Sequence, residues 1–229
     1  MNGWTDNLAK ATSTKASSKG LILDAAERIF ATHGYEGTSM RLIAREAGVA
    51  QALLHYHFNT KERLFEAIFA RRATAINAFR AERLDKLFAG GGKPTLEELL
   101  DVLFQPSPNF LGSNTQSGTY FAPMVSAISI GQDKRSKSLM KRYYDPIARL
   151  FIDRFQKVCP GLSAKDAVWA YLFALGARLQ ANRQNDRARR LGGRGAAFDD
   201  AGLRAEFISF IAAGIRSLNS KKHTAKRNP

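Results

Sequence analysis

Apolar residues recur at intervals of three and four through almost the whole chain, and nowhere do they alternate with a period of two. That spacing predicts an all-α protein. Leu21, Ile22, Ala25, Ile29 and Phe30 outline a first helix that begins near Ser18 and stops at His33 and Gly34. Residues 39–58, SMRLIAREAGVAQALLHYHF, then carry two short apolar-periodic segments hinged at Gly48. Ile43, Ala44 and Ala47 share one face, Val49 plugs the turn, and Leu54 and Phe58 line the second segment. Arg41, Gln51, His55 and Tyr56 are left facing outward. A tight turn with glycine at the C-terminus of one helix lets the next cross it steeply and project, which is the arrangement of a helix-turn-helix reader of a DNA major groove.

Thr38 or Ser39 is placed to cap the second helix, and Asn59 or Thr60 to cap a fourth. From Lys61 the stripe Leu64, Phe65, Ile68, Phe69, Ile76, Phe79, Leu84, Leu87 and Phe88 predicts one long amphipathic helix that ends at the glycines 90–92 and leads from a three-helix head to a body. The body is predicted to contain a helix over 96–104, a loop over 105–118, a helix over 119–130 that Pro123 starts or kinks, and a helix over 138–158 bent at Pro146. Ser163 with Asp166 resembles a capping box opening a helix to about Asn185. A loop over 189–200 and a last helix over 201–218 complete the reading. Leu203, Phe207, Phe210, Ile211 and Ile215 cover too wide an arc of that last helix for a single contact, so one side is expected in the core and one against a partner. On these patterns the chain divides into a flexible basic arm (1–17), the helix-turn-helix head (18–61), the helical body (62–218) and a basic tail (219–229).

An apolar content of 45% is that of an ordinary folded protein, neither fibrous nor disordered. No apolar run approaches the roughly 20 residues that span a bilayer, and the first 19 residues lack the hydrophobic centre of a signal peptide, so no membrane contact and a cytoplasmic location are expected. The lone Cys159 fits a reducing compartment and reads as a small hydrophobe. A net charge of +15 invites a nucleic-acid reading, but its distribution tempers it. Residues 1–61 hold a net of only +2 and 62–132 balance, while 133–229 carry +13, concentrated in 134–142, 178–194 and 221–227. Charge therefore assists the approach of a polyanion, and the DNA reading rests on the motif.

Catalytic patterns are missing from the sequence: no nucleophile triad, paired carboxylates, phosphate loop or zinc-protease motif stands out, so an enzyme is not expected. His55 and His57 do not make a metal pair, because two residues on a helix diverge by about 200 degrees, and no metal or cofactor is expected.

Residues 20–65, through the run AAERIFATHGYEGTSMRLIAREAGVAQALLHYHFNTKERLF, resemble the DNA-binding head of the tetracycline-repressor-like (TetR) family. It has that family's alanine-rich first helix, Gly-Tyr turn, capped second helix, Ala-Gly-Val turn, aromatic third helix and following Lys-Glu. Beyond residue 90 the likeness is one of helix number and length. By position the resemblance implies that Arg41 and Gln51 lie near DNA, that Ala52, Leu53 and His55 face base edges, and that Tyr56 and Lys61 clamp the phosphate backbone. The chemistry agrees in kind: a phenol and an ammonium donate well to phosphate, and a glutamine can pair bidentately with adenine. Ala50 departs from the hydroxyl cap common in the family, and Leu53 from the smaller residue common there.

The same resemblance implies a homodimer joined mainly through the last two helices, acting on a pseudo-palindromic operator, with an effector pocket in each body. The expected pocket residues are Phe104, Phe121, Met124, Tyr143, Tyr144, Trp169 and Phe173. Arg178, and with it Arg183, stands where it would meet an anionic effector. The expected dimer contacts are Ala170 and Ala174, small enough to let a helix approach, with Phe207, Ile211 and Ile215. The implied function is a ligand-responsive repressor. The alternative is a helix-turn-helix regulator without a small-molecule effector, controlled by a protein partner or acting as an activator, whose body would be solidly filled.

Overall fold

The computed structural model describes residues 17–105, 116–183, 185–193 and 200–224. Among these residues every regular element is helical, as the spacing predicts. The head consists of α1 (Ser18–His33), α2 (Met40–Glu46) and α3 (Gln51–Phe58), and α4 (Lys61–Phe88) leads out of it. The body follows with α5 (Leu96–Phe104), α6 (Gln116–Ile130), α7 (Lys134–Leu139), a π-helical turn (Met140–Tyr144), α8 (Asp145–Val158), α9 (Ala164–Arg183), α10 (Asn185–Gly192) and α11 (Asp200–Thr224).

Local chemistry sets the helix starts. Ser39 rather than Thr38 caps α2, its hydroxyl accepting from the Leu42 N–H at 3.2 Å, while Thr38 turns inward and donates to the Gly34 carbonyl. Thr60 rather than Asn59 caps α4 through the Arg63 N–H. Thr95 and Glu98 form a reciprocal capping box at α5.

Several boundaries differ from the sequence reading. Pro123 neither starts nor ends α6, which begins at Gln116 and runs through it. The bend expected at Pro146 is resolved differently: proline cannot donate back to the preceding turn, and the chain widens just before it into the π turn, where the Asp145 N–H bonds the Met140 carbonyl five residues back. The stretch assigned to a loop at 189–200 contains the end of α10. The last helix extends to Thr224, into the basic tail.

Apolar burial is organised in two clusters. One joins α1, α2, α3 and the first half of α4 to Phe121, Met124 and Ile128 of α6 and Leu139 of α7. The other gathers the end of α4, α5, α8, α9 and α11. The boundary expected at residues 61 and 62 is therefore not where the cores part. Head and α6 share one core, with Phe69 packed against Phe121 at a ring separation of 5.3 Å, and the division falls further along α4, between Ile76 and Leu84.

An ion pair between helices fixes the head to α4. Glu27 of α1 is 2% exposed, and its carboxylate accepts from Arg72 Nε at 2.8 Å and Nη2 at 2.9 Å and from Arg71 Nη2 at 3.0 Å. Arg71 also reaches Asp24 at 2.8 Å. Nothing in the spacing of these residues, more than forty positions apart, announces the pair.

Candidate nucleic-acid interface

The turn between α2 and α3 closes through three backbone bonds, Ala47 N–H to Ile43, Gly48 N–H to Arg45 and Val49 N–H to Ala44. Gly48 has φ 65, a left-handed conformation that costs an L side chain energy even though a Cβ there would meet no atom within 4 Å. Glycine is required here for backbone freedom rather than for space. Ile43, Ala44, Leu54 and Phe58 are buried beneath the turn, so α3 is held firmly by one face. Arg41, Gln51, Ala52, Leu53, His55 and Tyr56 are all exposed on the head, Tyr56 by 83%.

The exposed side of α3 is internally ordered. His55 Nδ1 lies 3.1 Å from the Asn59 carbonyl and its Nε2 lies 3.4 Å from Gln51 Nε2. A carbonyl only accepts, so Nδ1 carries the proton, and in the neutral ring Nε2 then accepts from the Gln51 amide. Gln51 is left with its oxygen and one N–H free, the acceptor and donor that adenine's major-groove edge requires. Asn59 itself adopts φ 58, tolerable for asparagine, and redirects the chain from α3 into α4. Ala50 provides no side-chain cap, which leaves the first N–H groups of α3 without one.

Lys61 sits differently from an outward clamp. Its ammonium donates to the carbonyls of Tyr35 and Thr38, both at 3.0 Å, and lies 4.3 Å from the centre of the Tyr35 ring. Two of its three protons thus fasten the turn between α1 and α2 to the start of α4, and one is left over. Tyr35 is the centre of this joint, unforeseen from the sequence beyond its place after Gly34. Arg135 of α7 lies 3.4 Å over its ring, and its hydroxyl donates to Glu62 at 2.6 Å. Burial first, then the Glu62 carboxylate, pushes the Tyr35 hydroxyl up to about 12, while the same bond holds Glu62 below the usual carboxylate range.

The residues expected to line a pocket or an interface are redistributed. Phe104, Phe121 and Met124 are buried core residues. Of the expected pocket residues, Tyr143 alone lines the groove between α4 and α8, about 380 Å³ in volume and open to solvent, with Thr74, Asn77, Arg142, Pro146 and Leu150 around it. Tyr144 is half-buried with its hydroxyl sequestered, and Arg178 donates to the Leu103 carbonyl at 2.7 Å. Trp169 and Phe173 correct the expectation most clearly. They are 47% and 58% exposed, and pack on each other on the outer face of α9. Conversely Ala170, Ala174, Ile211 and Ile215 are buried within the protomer's own core, and Phe207 packs against Phe104 at 4.9 Å. The period of α9 was legible, but which arc faced inward depends on where α5, α8 and α11 lie. The side chain of Arg183 lies outside the described residues, as do residues 1–16 of the expected basic arm.

Two matches bear on this geometry. Residues 22–68 match the bacterial regulatory proteins of the tetR family, and residues 101–214 match the tetracyclin repressor-like C-terminal domain. The chain belongs to the TetR family. Members of the TetR family are transcriptional regulators, not enzymes. Similar TetR-type regulators include the repressor AcnR of Corynebacterium diphtheriae, 38% identical over 85 residues that make up 37% of this chain and 40% of AcnR. The regulator AcrR of Shigella flexneri is 33% identical over 94 residues, 41% of this chain and 43% of AcrR. The aligned stretches thus span well under two thirds of these relatives. A transcriptional regulator from Pseudomonas aeruginosa PAO1 shares the fold at a TM-score of 0.63 and 17% identity, over 91% of this chain and 93% of its own. A regulator from Saccharomonospora viridis, solved in complex with choline, aligns at a TM-score of 0.52 and 16% identity, over 87% and 94%. Among the described residues no helix is long and apolar enough to cross a membrane, and no group of side chains is arranged to hold a metal ion.

Proposed function

We propose that the chain is a dimeric DNA-binding repressor that occupies a pseudo-palindromic operator and is released by a small molecule bound in the body. The observation that carries this reading is α3, clamped by its buried face and exposing Gln51, His55 and Tyr56 together. Gln51 reads a base edge, Tyr56 and the remaining Lys61 proton hold phosphates, and Arg41 approaches from α2. The second copy docks on the apolar face of α9 and α11, where Trp169, Leu172, Phe173 and Phe210, the last 74% exposed, lie unprotected. Two heads must then reach successive major grooves about 34 to 36 Å apart. A small tilt breaks that match, and a tenfold loss of operator affinity takes only about 1.4 kcal/mol of coupling.

The shared core supports such coupling, because any shift of α6 or the π turn is felt directly by α1 and α4. The fold neighbour solved with choline supports a body of this kind admitting a small molecule. The decisive experiment is a mobility-shift assay on the DNA flanking the protein's own gene, at low ionic strength, with and without small aromatic and acyl compounds. Retarded DNA released by a compound is expected. Failure to retard any flanking fragment overturns the reading.

A further inference from the structure

Part of the body's positive charge meets no acid among the described residues. Arg80, on the inner side of α4, lies within electrostatic reach of Tyr144 of the π turn and Tyr171 of α9, and burial lowers its pKa. Its Nε is buried without a partner, and among the described residues its guanidinium makes no hydrogen bond or ion pair. Arg178 of α9 lies within electrostatic reach of Arg80. Among the described residues its guanidinium donates to the Leu103 carbonyl at the end of α5, and burial with the charges of Arg80 and Arg204 brings it down to about 9. Arg204 has its acid, Asp101 at 2.8 Å. Among the described residues Arg80 and Arg178 have none. Beside them the Tyr144 hydroxyl and Asn77 Oδ1 are also buried without partners. The Asn77 amide cannot be turned to satisfy the oxygen, because its nitrogen already donates to the Tyr143 carbonyl.

Two like charges held within reach of each other, half-buried and without an acid among the described residues, are unfavourable. Together these features favour an occupant of opposite charge. We propose that Arg80 and Arg178 form the anion-binding end of the effector site, and that the effector is a small organic carboxylate. A carboxylate presents two oxygens to the guanidinium fork, and the Tyr144 hydroxyl adds a third donor. The neighbouring Phe104, 5.8 Å from the Arg178 guanidinium, and the Phe151–Tyr171 pair suit an aromatic or acyl remainder. Choline, the ligand of the Saccharomonospora neighbour, is a cation, and this site selects the opposite sign.

The route to the DNA is also in place. Tyr144 belongs to the π turn, whose Met140, Tyr143 and Tyr144 pack against the core shared with the head. Closing Tyr144 onto a bound carboxylate displaces that turn against α4 and α6.

This inference rests on the proposed effector control, and the test separates the two. Full-length protein, wild type and Arg80→Gln, Arg80→Lys and Arg178→Gln, is titrated calorimetrically with benzoate, phenylacetate and hexanoate and with the neutral benzamide and hexanamide. The same compounds are added to the operator-shift assay. Carboxylates are expected to bind and amides not to, with Arg80→Gln weakening carboxylates at least about tenfold and Arg80→Lys recovering part. Without any ligand, Arg80→Met is expected to raise the melting temperature by a few degrees, because an unpaired charge has been removed. Equal binding of amides, unchanged affinity in Arg80→Gln, no carboxylate binding at millimolar concentration, or a lowered melting temperature in Arg80→Met overturns the anion site. Release of DNA by amides alone leaves effector control standing without it. Carboxylates that bind through Arg80 yet leave operator affinity unchanged uphold the site and remove effector control.

Discussion

Replacing Glu27 by alanine tests the clamp between head and body. In the folded protein its carboxylate is sequestered, and both its oxygens are engaged by Arg72, whose side chain is itself mostly buried. Removing the acid takes from Arg72 the carboxylate that engages it through both oxygens, in a place little reached by water. Breaking one partner out of such a pair costs about 3–5 kcal/mol. Arg71 suffers less, because it is more exposed and keeps Asp24. Arg71→Ala should therefore cost no more than about 1 kcal/mol. For a chain of this size each kcal/mol moves the melting temperature by about 2–4 °C. Glu27→Ala is thus expected to melt roughly 6 to 20 °C lower, read by circular dichroism at fixed protein concentration because a dimer's stability depends on it. The double variant Glu27→Leu with Arg72→Met, which removes both charges while keeping volume, should recover to within about 1 kcal/mol of wild type. Operator affinity should fall in Glu27→Ala even at temperatures where it remains folded, because α1 is no longer pinned to α4. A cost below about 1 kcal/mol for Glu27→Ala, or a double variant no better than the single, would refute the reasoning.

Three further outcomes separate roles within the head and body. Tyr56→Ala should weaken binding to all DNA sequences alike and flatten the salt dependence without altering stability, whereas Lys61→Ala should do the same and also lower the melting temperature, because two carbonyls lose their donor; equal stability of the two variants would remove Lys61 from the joint. Gln51→Ala should change base preference at one position in each half-site, by about 1–3 kcal/mol, and a uniform loss across sequences would count against base reading. Phe210→Glu should yield a folded monomer by light scattering, while Ile211→Asp, buried in the protomer, should unfold the chain; a folded Ile211→Asp monomer would place the interface on the other arc.

The head was legible in the sequence because its information is local. Gly48 needs a left-handed backbone, Leu54 and Phe58 need cover, and the intervening positions can only point out, so exposure of Gln51, His55 and Tyr56 followed from spacing of a few residues. The body was legible only as helices. A period of 3.6 says that α9 has an inner arc and an outer one without saying which is which, and so Trp169 and Phe173 were expected inside while Ala170 and Ala174 were expected outside. Their true places depend on where α5, α8 and α11 pack. The same limit hid the long-range polar pairs. Glu27 meets Arg72, and Arg80 approaches Arg178, only after α4 has been laid across α1 and against the helices of the body. Helix type, turn and cap are set by interactions within a few residues of chain. Which charges are paired, and which are left waiting in the interior, is set by contacts between segments that only the folded protein brings together.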